Sequence, residues 1–206
     1  NFSGINRSIV FRPGTTLATM SSNKTIVAKA TVPDEFTNTF GIYQLNEFIG
    51  ALSLIDNPDL DFGDNFVTIR GDGDSEIVFH YAEISTIISP PEKDIKLPTV
   101  DVEVSLSNKD IQKVSKALNL FGLPELAIVG DGNRIWLQAL DVKNPSANVF
   151  KIQVSEGNVV FRAVFRAENM RMVDGDYNVR ISSKGISQFI GTDVTYWIAN
   201  EASSTF

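Results

Sequence analysis

The sequence contains no cysteine, a single histidine and no apolar run long enough to cross a membrane. Without cysteine there can be no disulfide framework, zinc–thiolate site, iron–sulfur cluster or cysteine nucleophile. The longest uninterrupted stretch of apolar and small residues is Phe48–Ile55, which is well short of the about 20 residues that a membrane helix needs. We therefore expect no membrane span.

Cationic residues are also scarce, since 18 Lys and Arg stand against 25 Asp and Glu to give a net charge of -7. This balance argues against a large external basic surface, so any contact with DNA must be local. The chain opens with Asn1 rather than Met and shows no basic, apolar and small-residue leader. We expect that the original N-terminus lies upstream and that no signal peptide is present.

Short predicted strands dominate the 206 residues, a length that suits one large or two small domains. Alternating apolar and polar side chains bounded by turn residues predict antiparallel strands. The first of them are Ser8–Arg12, Leu17–Met20 and Thr25–Val32, the last of which we expect to end before Pro33. Asp-Gly pairs suit hairpin turns that require positive φ, and they predict three such turns: Asp72-Gly73, Asp131-Gly132 and Asp174-Gly175.

Only a few segments have helical spacing. Leu45–Ile55 carries its apolar residues at steps of three and four, and Ala167–Met172 predicts a short helical turn. The clearest helix is Ser107–Phe121, for which Ser107 or Asn108 is the predicted N-cap and Gly122 the stop.

The predicted helix Ser107–Phe121 has two contrasting faces. Its apolar stripe consists of Ile111, Val114, Leu118 and Phe121. At about 100° per residue, Lys109, Lys113 and Lys116 lie within roughly 60° of one another and nearly opposite that stripe. One face is therefore core and the other cationic, although such a face is usually only solvated.

The chain repeats its order of elements. Gly41–Phe48 leads through a helix into paired strands that end at Ala82, and Val164–Met170 leads through a helical turn into paired strands that end at Ala199. This repeat predicts two copies of one fold, separated by a connector rich in proline and charge. The predicted parts are a first domain at 1–88, the connector at 89–100 and a second domain at 101–206.

Several stretches, taken in order along the chain, resemble the DNA polymerase sliding clamps of T-even bacteriophages. They are Ile42–Leu54, Asn169–Met172 together with Gly175–Tyr177, and the tail Tyr196–Phe206. The similarity runs the whole length with few gaps. It implies an α+β fold with two similar clamp domains per subunit, antiparallel sheets outside and helices on the inner face. It also implies a truncated N-terminal helix, because in the family a full helix precedes the first strand and here only residues 1–7 do.

The resemblance implies a non-enzymatic DNA polymerase processivity factor that acts in the cytoplasm of an infected bacterial host. In this family three copies join head to tail in a closed ring that encircles duplex DNA and slides along it. The ring tethers the replicative DNA polymerase, is opened by a separate ATP-dependent clamp loader and also serves late viral transcription. Topological retention tolerates an acidic subunit, because a few inner cations suffice to draw the duplex to the centre.

Candidate site residues follow from the same resemblance. The candidates that face DNA are Lys109, Lys113, Lys116 and Arg171, with Arg7 as a further one. In clamps a hydrophobic pocket beside the connector receives short partner peptides, which makes the candidates for partner binding Pro90, Pro91, Ile95, Leu97 and Phe206. Simpler interpretations remain open: Arg171 as an exposed base beside two core methionines, and the connector residues as spacers.

The residues offer little support for catalysis. His80 alternates with Phe79 and Tyr81 in a predicted strand, which favours a structural or surface role. Asp72–Glu76 begins like a calcium loop, but Ile77 stands where that loop needs glycine. We therefore predict no enzyme activity, no cofactor and no metal. The alternatives are a phage tail or capsid subunit that never touches DNA, and a carbohydrate- or peptide-binding β-sandwich.

Overall fold

The computed structural model describes residues 1–93 and 95–206, which form two compact units, Asn1–Glu92 and Lys93–Phe206. Asp94, inside the segment 89–100 that the sequence suggests as a connector, lies outside the described residues. The boundary between the units falls between Glu92 and Lys93. The role of 89–100 as a connector stays a prediction.

The first unit is built mostly from antiparallel strands around one longer helix. Strand β1 pairs with β4, β2 pairs with β3, and β5, β6 and β7 form a three-stranded sheet in that order. A 3₁₀ turn follows at Ile84–Thr86. The elements are α1 (Phe2–Ile5), β1 (Ile9–Phe11), β2 (Gly14–Met20), β3 (Ile26–Phe36), β4 (Phe40–Ile42), α2 (Leu45–Ser53), β5 (Asp59–Phe62), β6 (Phe66–Arg70) and β7 (Glu76–His80).

An aromatic cluster forms the centre of this first unit. The rings of Phe11 and Phe40 stack with centroids 4.5 Å apart and an interplanar angle of 8°. Phe48, on the buried face of α2, meets Phe11 edge-on at 6.4 Å. Aromatic pairs of this kind add to the stabilisation from buried area, so α2 is fixed over β1 and β4.

The second unit consists of two four-strand layers and the longest helix. Within it the hydrogen-bonded strand orders are β11-β10-β9-β12 and β15-β14-β13-β8. The elements are β8 (Val102–Leu106), α3 (Asn108–Phe121), β9 (Glu125–Asp131), β10 (Arg134–Leu140), β11 (Phe150–Glu156), β12 (Val160–Arg166), a 3₁₀ turn (Ala167–Asn169), β13 (Tyr177–Ser182), β14 (Ile186–Ile190) and β15 (Val194–Ala199).

Helix α3 packs its apolar face against β9, β10 and β11. Its buried residues are Val114, Ala117 and Leu118, whereas Phe121 at the end of the predicted stripe is 44% exposed. Ser107 caps the helix and Gly122 ends it in the left-handed conformation with φ 62°. The sequence predicted both ends from the residues that favour these caps.

The two units repeat one pairing pattern. Strand β1 pairs with β4 as β9 pairs with β12, and β2 pairs with β3 as β10 pairs with β11. The sheet β5-β6-β7 likewise matches β13-β14-β15. In this correspondence between the units, α1 matches α3, and α2 matches the 3₁₀ turn Ala167–Asn169. The predicted duplication is therefore present in the hydrogen bonding.

The structure differs from the expected elements in five main places. Strand β2 begins at Gly14, three residues before the predicted Leu17. Strand β3 continues through Pro33 to Phe36, because the ladder with β2 is irregular there and requires no amide hydrogen from Pro33. Helix α2 ends at Ser53, two residues before the predicted end. The helical turn predicted at Ala167–Met172 is limited to 3₁₀ geometry over Ala167–Asn169.

The fifth difference concerns the third Asp-Gly pair. Gly73 and Gly132 have φ of 122° and 90° and lie between paired strands, as predicted. Asp174-Gly175 is not a hairpin turn, since the residues before it form no strand and Gly175 lacks positive φ. The hairpin of β13 and β14 instead turns at Gly185, whose φ is 90°.

Candidate nucleic-acid interface and partner surface

The outward face of α3 carries three exposed lysines. Lys109, Lys113 and Lys116 all lie opposite the buried side of the helix. The ammonium of Lys113 lies 3.9 Å from the carboxylate of Asp110, one turn earlier. Long-chain cations on one helix face can contact the phosphate backbone without reading base sequence.

Arg171 lies in the segment Met170–Asp176, which runs beside α3. Met170, Met172 and Asp174 face α3 across a cavity of about 220 Å³, and Lys116 lines the opposite wall. Arg171 itself is exposed. The structure therefore brings the segment that carries Arg171 to the same helix as the lysines.

Arg7 belongs to the first unit and is held by an aromatic ring. Its guanidinium lies 4.7 Å from the centroid of the Tyr43 ring and donates a hydrogen bond to the Tyr43 hydroxyl. Both residues line an open groove of about 400 Å³. No local sequence pattern indicates Tyr43, because the contact joins positions 36 residues apart. The adjacent helix α2 adds no base to this surface.

The two units differ sharply in charge. Residues 1–92 contain five Lys and Arg against twelve Asp and Glu, whereas residues 93–206 contain thirteen of each. The whole net charge of -7 thus belongs to the first unit. An acidic chain can in this way keep an electrically neutral half with a cationic helix face.

The candidates for partner binding fall into separate places. Pro90, which is buried, and Pro91, which is exposed, line a cavity of about 300 Å³ in the first unit together with Val10 and Ala18. At its rim Arg12 pairs with Glu92 at 3.3 Å. Ile95 and Leu97 are half-buried and belong to the second unit.

Phe206 ends a tail that lies along the outer edge of β12. Backbone hydrogen bonds of 2.8 Å run in both directions between Arg162 and Thr205. The ring of Phe206 stacks on Phe161 at 6.4 Å and is 49% exposed. The tail therefore covers one edge of the sheet β11-β10-β9-β12 and leaves half of a phenyl ring at the surface.

Several strands end their sheets with one side unpaired in the part of the chain that the structure describes. They include β7 in the first unit and β11 in the second. In β7 the half-buried side chains are Ile77 and Phe79, and Val78 is 47% exposed. Such open edges can pair with another chain.

Among residues 1–93 and 95–206, no group of His, Asp and Glu is arranged to hold a metal ion. No helix in the same residues has the length and apolar character to cross a membrane.

Comparisons with known proteins agree on one kind of molecule. The family model described as "gp45 sliding clamp, C terminal" matches residues 103–202. The sliding clamp of Vibrio phage KVP40 is 36% identical over 209 residues, which cover 98% of this chain and 94% of that protein. The sliding clamp of Enterobacteria phage T4 is 26% identical over 215 residues, which cover 100% and 93%.

A solved structure shows the same fold at low identity. The structure of A. fulgidus PCNA with the C-terminal region of FEN-1 bound has a TM-score of 0.69 and 12% identity, with 98% of this chain and 92% of that chain covered. The predicted fold class, two similar clamp domains, is confirmed.

Proposed function

The chain belongs to the sliding clamps of T4-type phages, and from that premise we propose that it is the processivity ring of a phage DNA polymerase. Three copies joined head to tail encircle duplex DNA and slide along it. The ring raises the local concentration of polymerase at the primer end. One observation carries the proposal most directly: a chain of net charge -7 reserves one long helix face for three exposed lysines.

Lys109, Lys113, Lys116 and Arg171 face the duplex in this proposal, and Arg7 adds a base from the first unit. Their contacts go to phosphates, so they are independent of sequence and weaken with salt. Retention comes from the closed ring, and individual contacts can therefore be weak enough to permit sliding. The acidic first unit discourages DNA from binding elsewhere on the ring.

The joint between copies is proposed to form from two of the open sheet edges, with β7 of one copy antiparallel to β11 of the next. Ile77 and Phe79 of β7 and Ile152 of β11 are half-buried, and side chains alternate between the two faces along a strand. A register that puts Ile77 opposite Ile152, or shifted by two residues, keeps these side chains on one face. A head-to-tail contact repeated three times closes a ring.

Partners are proposed by the same family membership. Residues 89–100 act as a connector between domains 1–88 and 101–206, and surfaces at Pro90, Pro91, Ile95, Leu97 and Phe206 receive partner segments. The bound FEN-1 region on A. fulgidus PCNA is a precedent for a clamp that holds a partner's chain end. The proposed partners are the DNA polymerase, an ATP-dependent clamp loader and the late transcription machinery, in the cytoplasm of the infected host.

The mass of the particle and its retention on DNA test the proposal. Light scattering should give three times 22.6 kDa, about 68 kDa. Once loaded, the protein should stay on a nicked circle and leave a linear duplex of the same sequence. A stable monomer, or equal retention on circle and linear DNA, would contradict the ring.

A pair of double variants tests the cationic face. Lys109→Glu with Lys116→Glu should shorten retention on circles and flatten its salt dependence, since two phosphate contacts are lost. The control, Lys143→Glu with Lys184→Glu, replaces two exposed lysines of the same unit. It changes the total charge by the same amount and should leave retention near wild type. Equal effects of the two pairs would show that α3 does not face the DNA.

A further inference from the structure

The segment Met170–Asp176 has no regular secondary structure, yet hydrogen bonds anchor it at three points. At its start the Met170 amide donates to the Ala167 carbonyl at 3.1 Å. At its end a carboxylate oxygen of Asp176 accepts a 2.7 Å hydrogen bond from the backbone amide of Asn108, the first residue of α3. The segment is thus tied directly to the helix that carries the lysines.

The middle anchor is formed by two tyrosine hydroxyls that bind one residue. The Tyr177 hydroxyl donates to the Val173 carbonyl at 2.6 Å, and the Val173 amide donates to the Tyr196 hydroxyl at 3.0 Å. Both backbone groups of Val173 are therefore satisfied by side chains. We name this arrangement the tyrosine pincer, after Tyr177, Tyr196 and Val173.

The two tyrosines of the pincer lie in the buried interior of the second unit. Tyr177 is 3% exposed and Tyr196 is fully buried, with their rings 6.1 Å apart at 62°. They stand on β13 and β15, on either side of β14. A hydroxyl carried by a packed ring on a strand loses little freedom when it binds, so it can fix the position of a loop.

Burial keeps both hydroxyls protonated. Desolvation is the first cause that raises the pKa of Tyr177, followed by the neighbouring Tyr196, and desolvation also raises the pKa of Tyr196. The hydroxyl of Tyr177 therefore remains a donor to Val173 throughout the neutral range. The hydrogen bond between the Val173 amide and the Tyr196 hydroxyl likewise does not depend on a titration near pH 7.

We propose that Tyr177 and Tyr196 are positioning residues for DNA contact: by fixing Val173 they hold Arg171 beside the lysines of α3. Arg171 stands two residues before Val173, between the pincer and the 3₁₀ turn. Met172, between Arg171 and Val173, lines the cavity against α3. The proposal rests on the proposed function, because it assumes that this surface meets duplex DNA.

Tyrosine-to-phenylalanine variants separate positioning from packing. Tyr196→Phe keeps the buried ring and removes the acceptor for the Val173 amide, and Tyr177→Phe removes the donor to its carbonyl. Tyr81→Phe is the matched control: Tyr81 is a half-buried tyrosine of the first unit, whose ring stacks on Phe40 at 4.8 Å. Its buried hydroxyl has no hydrogen-bond partner among the described residues.

The decisive readout is the slope of log affinity for nicked circular DNA against log salt concentration. One lost phosphate contact lowers that slope by about 0.9. Arg171→Gln should show this decrease, and Tyr196→Phe should show the same decrease. The double variant Tyr196→Phe with Arg171→Gln should show no further decrease, since both changes remove one contact.

A second readout follows the segment itself. Trypsin cleaves after arginine, and release of Val173 should make the bond after Arg171 more accessible, so cleavage there should rise in both pincer variants but not in Tyr81→Phe. Lower thermal stability alone would accompany a purely structural role. If the pincer variants keep the wild-type salt slope while wild type is retained on circles, the inference is wrong and the ring stands. If wild type is not retained on circles, the proposed function fails instead.

Discussion

The indole nitrogen of Trp136 donates a 2.9 Å hydrogen bond to Asp131, across the turn that joins β9 and β10. The second carboxylate oxygen of Asp131 accepts hydrogen bonds from the backbone amides of Asn133 and Arg134 at 2.9 and 2.8 Å. These donors, with Trp136 as the largest cause, lower the pKa of Asp131 from 3.8 to about 2. The ionised carboxylate thus organises the Asp131-Gly132 hairpin that the sequence predicted.

Removal of this carboxylate should change the acid stability of the protein. Because the folded pKa is depressed, the ionised group stabilises the fold above about pH 4, and this contribution is lost as the pH falls towards 2. Asp131→Asn should therefore be less stable than wild type at pH 7, and the difference should shrink between pH 4 and 2. Urea midpoints measured across that range check the sign.

Trp136→Phe is the companion variant. It keeps an aromatic ring near Lys151, whose ammonium lies 4.9 Å from the indole, but removes the hydrogen-bond donor. Its loss of stability should vary over the same pH range as that of Asp131→Asn. The loss should be smaller, because the backbone donors to Asp131 remain. A difference from wild type that is independent of pH would contradict the assignment to Asp131.

The same substitution at two glycines should act in opposite directions. A Cβ at Gly130 would lie 2.3 Å from the Val159 carbonyl oxygen, so Gly130→Ala should cost about 1–3 kcal/mol through overpacking. A Cβ at Gly50, within α2, meets nothing within 4 Å. Gly50→Ala should stabilise by up to about 1 kcal/mol, because alanine favours helix over glycine. Thermal midpoints of both variants give the test, and a shift in the same direction would refute it.

Ser107 and Asp110 exchange hydrogen bonds at the start of α3. The Ser107 hydroxyl accepts the Asp110 amide at 3.2 Å and donates to its carboxylate at 2.7 Å. Ser107→Ala should cost about 1 kcal/mol, as expected for the loss of an N-cap. Ser146→Ala, at an exposed loop position, is the control and should leave the unfolding midpoint within experimental error. Hydrogen exchange in the first turn of α3 should rise in Ser107→Ala alone.

The proposed joint between copies can be tested at β7. Val78 is 47% exposed in a single copy, so Val78→Lys should leave the fold intact, but it would place a charge where β11 of the next copy docks. The expected result is a shift in mass from the trimer towards 22.6 kDa. Val100→Lys, at 52% exposure in the described chain, should remain trimeric. A trimer with unchanged stability in Val78→Lys would exclude this joint.

Local patterns explain what the sequence could predict. Helix α3 was predictable because its stripe, its cap Ser107 and its stop Gly122 are all encoded within 16 residues. The same locality placed Lys109, Lys113 and Lys116 on one face. The prolongation of β3 through Pro33 was not predictable, since it depends on an irregular register with β2.

Contacts between distant positions explain what the sequence missed. The ring of Tyr43 lies over Arg7, and Tyr196 binds Val173 across 23 positions. Neither contact follows any period of a helix or a strand. Asp174-Gly175 misled because the local turn signal is the same whether a strand precedes it or not. Which apolar residues near the connector share a cavity also depends on folding, since Pro90 and Pro91 lie in one unit and Ile95 and Leu97 in the other.

The tail along β12 makes the two edges of its sheet different. Residues Glu201–Thr205 occupy the β12 side through backbone bonds to Val164 and Arg162, while the β11 side ends without a strand among the described residues. Only one edge of this sheet is therefore free to pair: another strand can be added at β11 but not at β12. Copies that join through β11 of one and a different edge of the next therefore form an unbranched chain with two distinguishable ends, and such a chain either stays open or closes on itself.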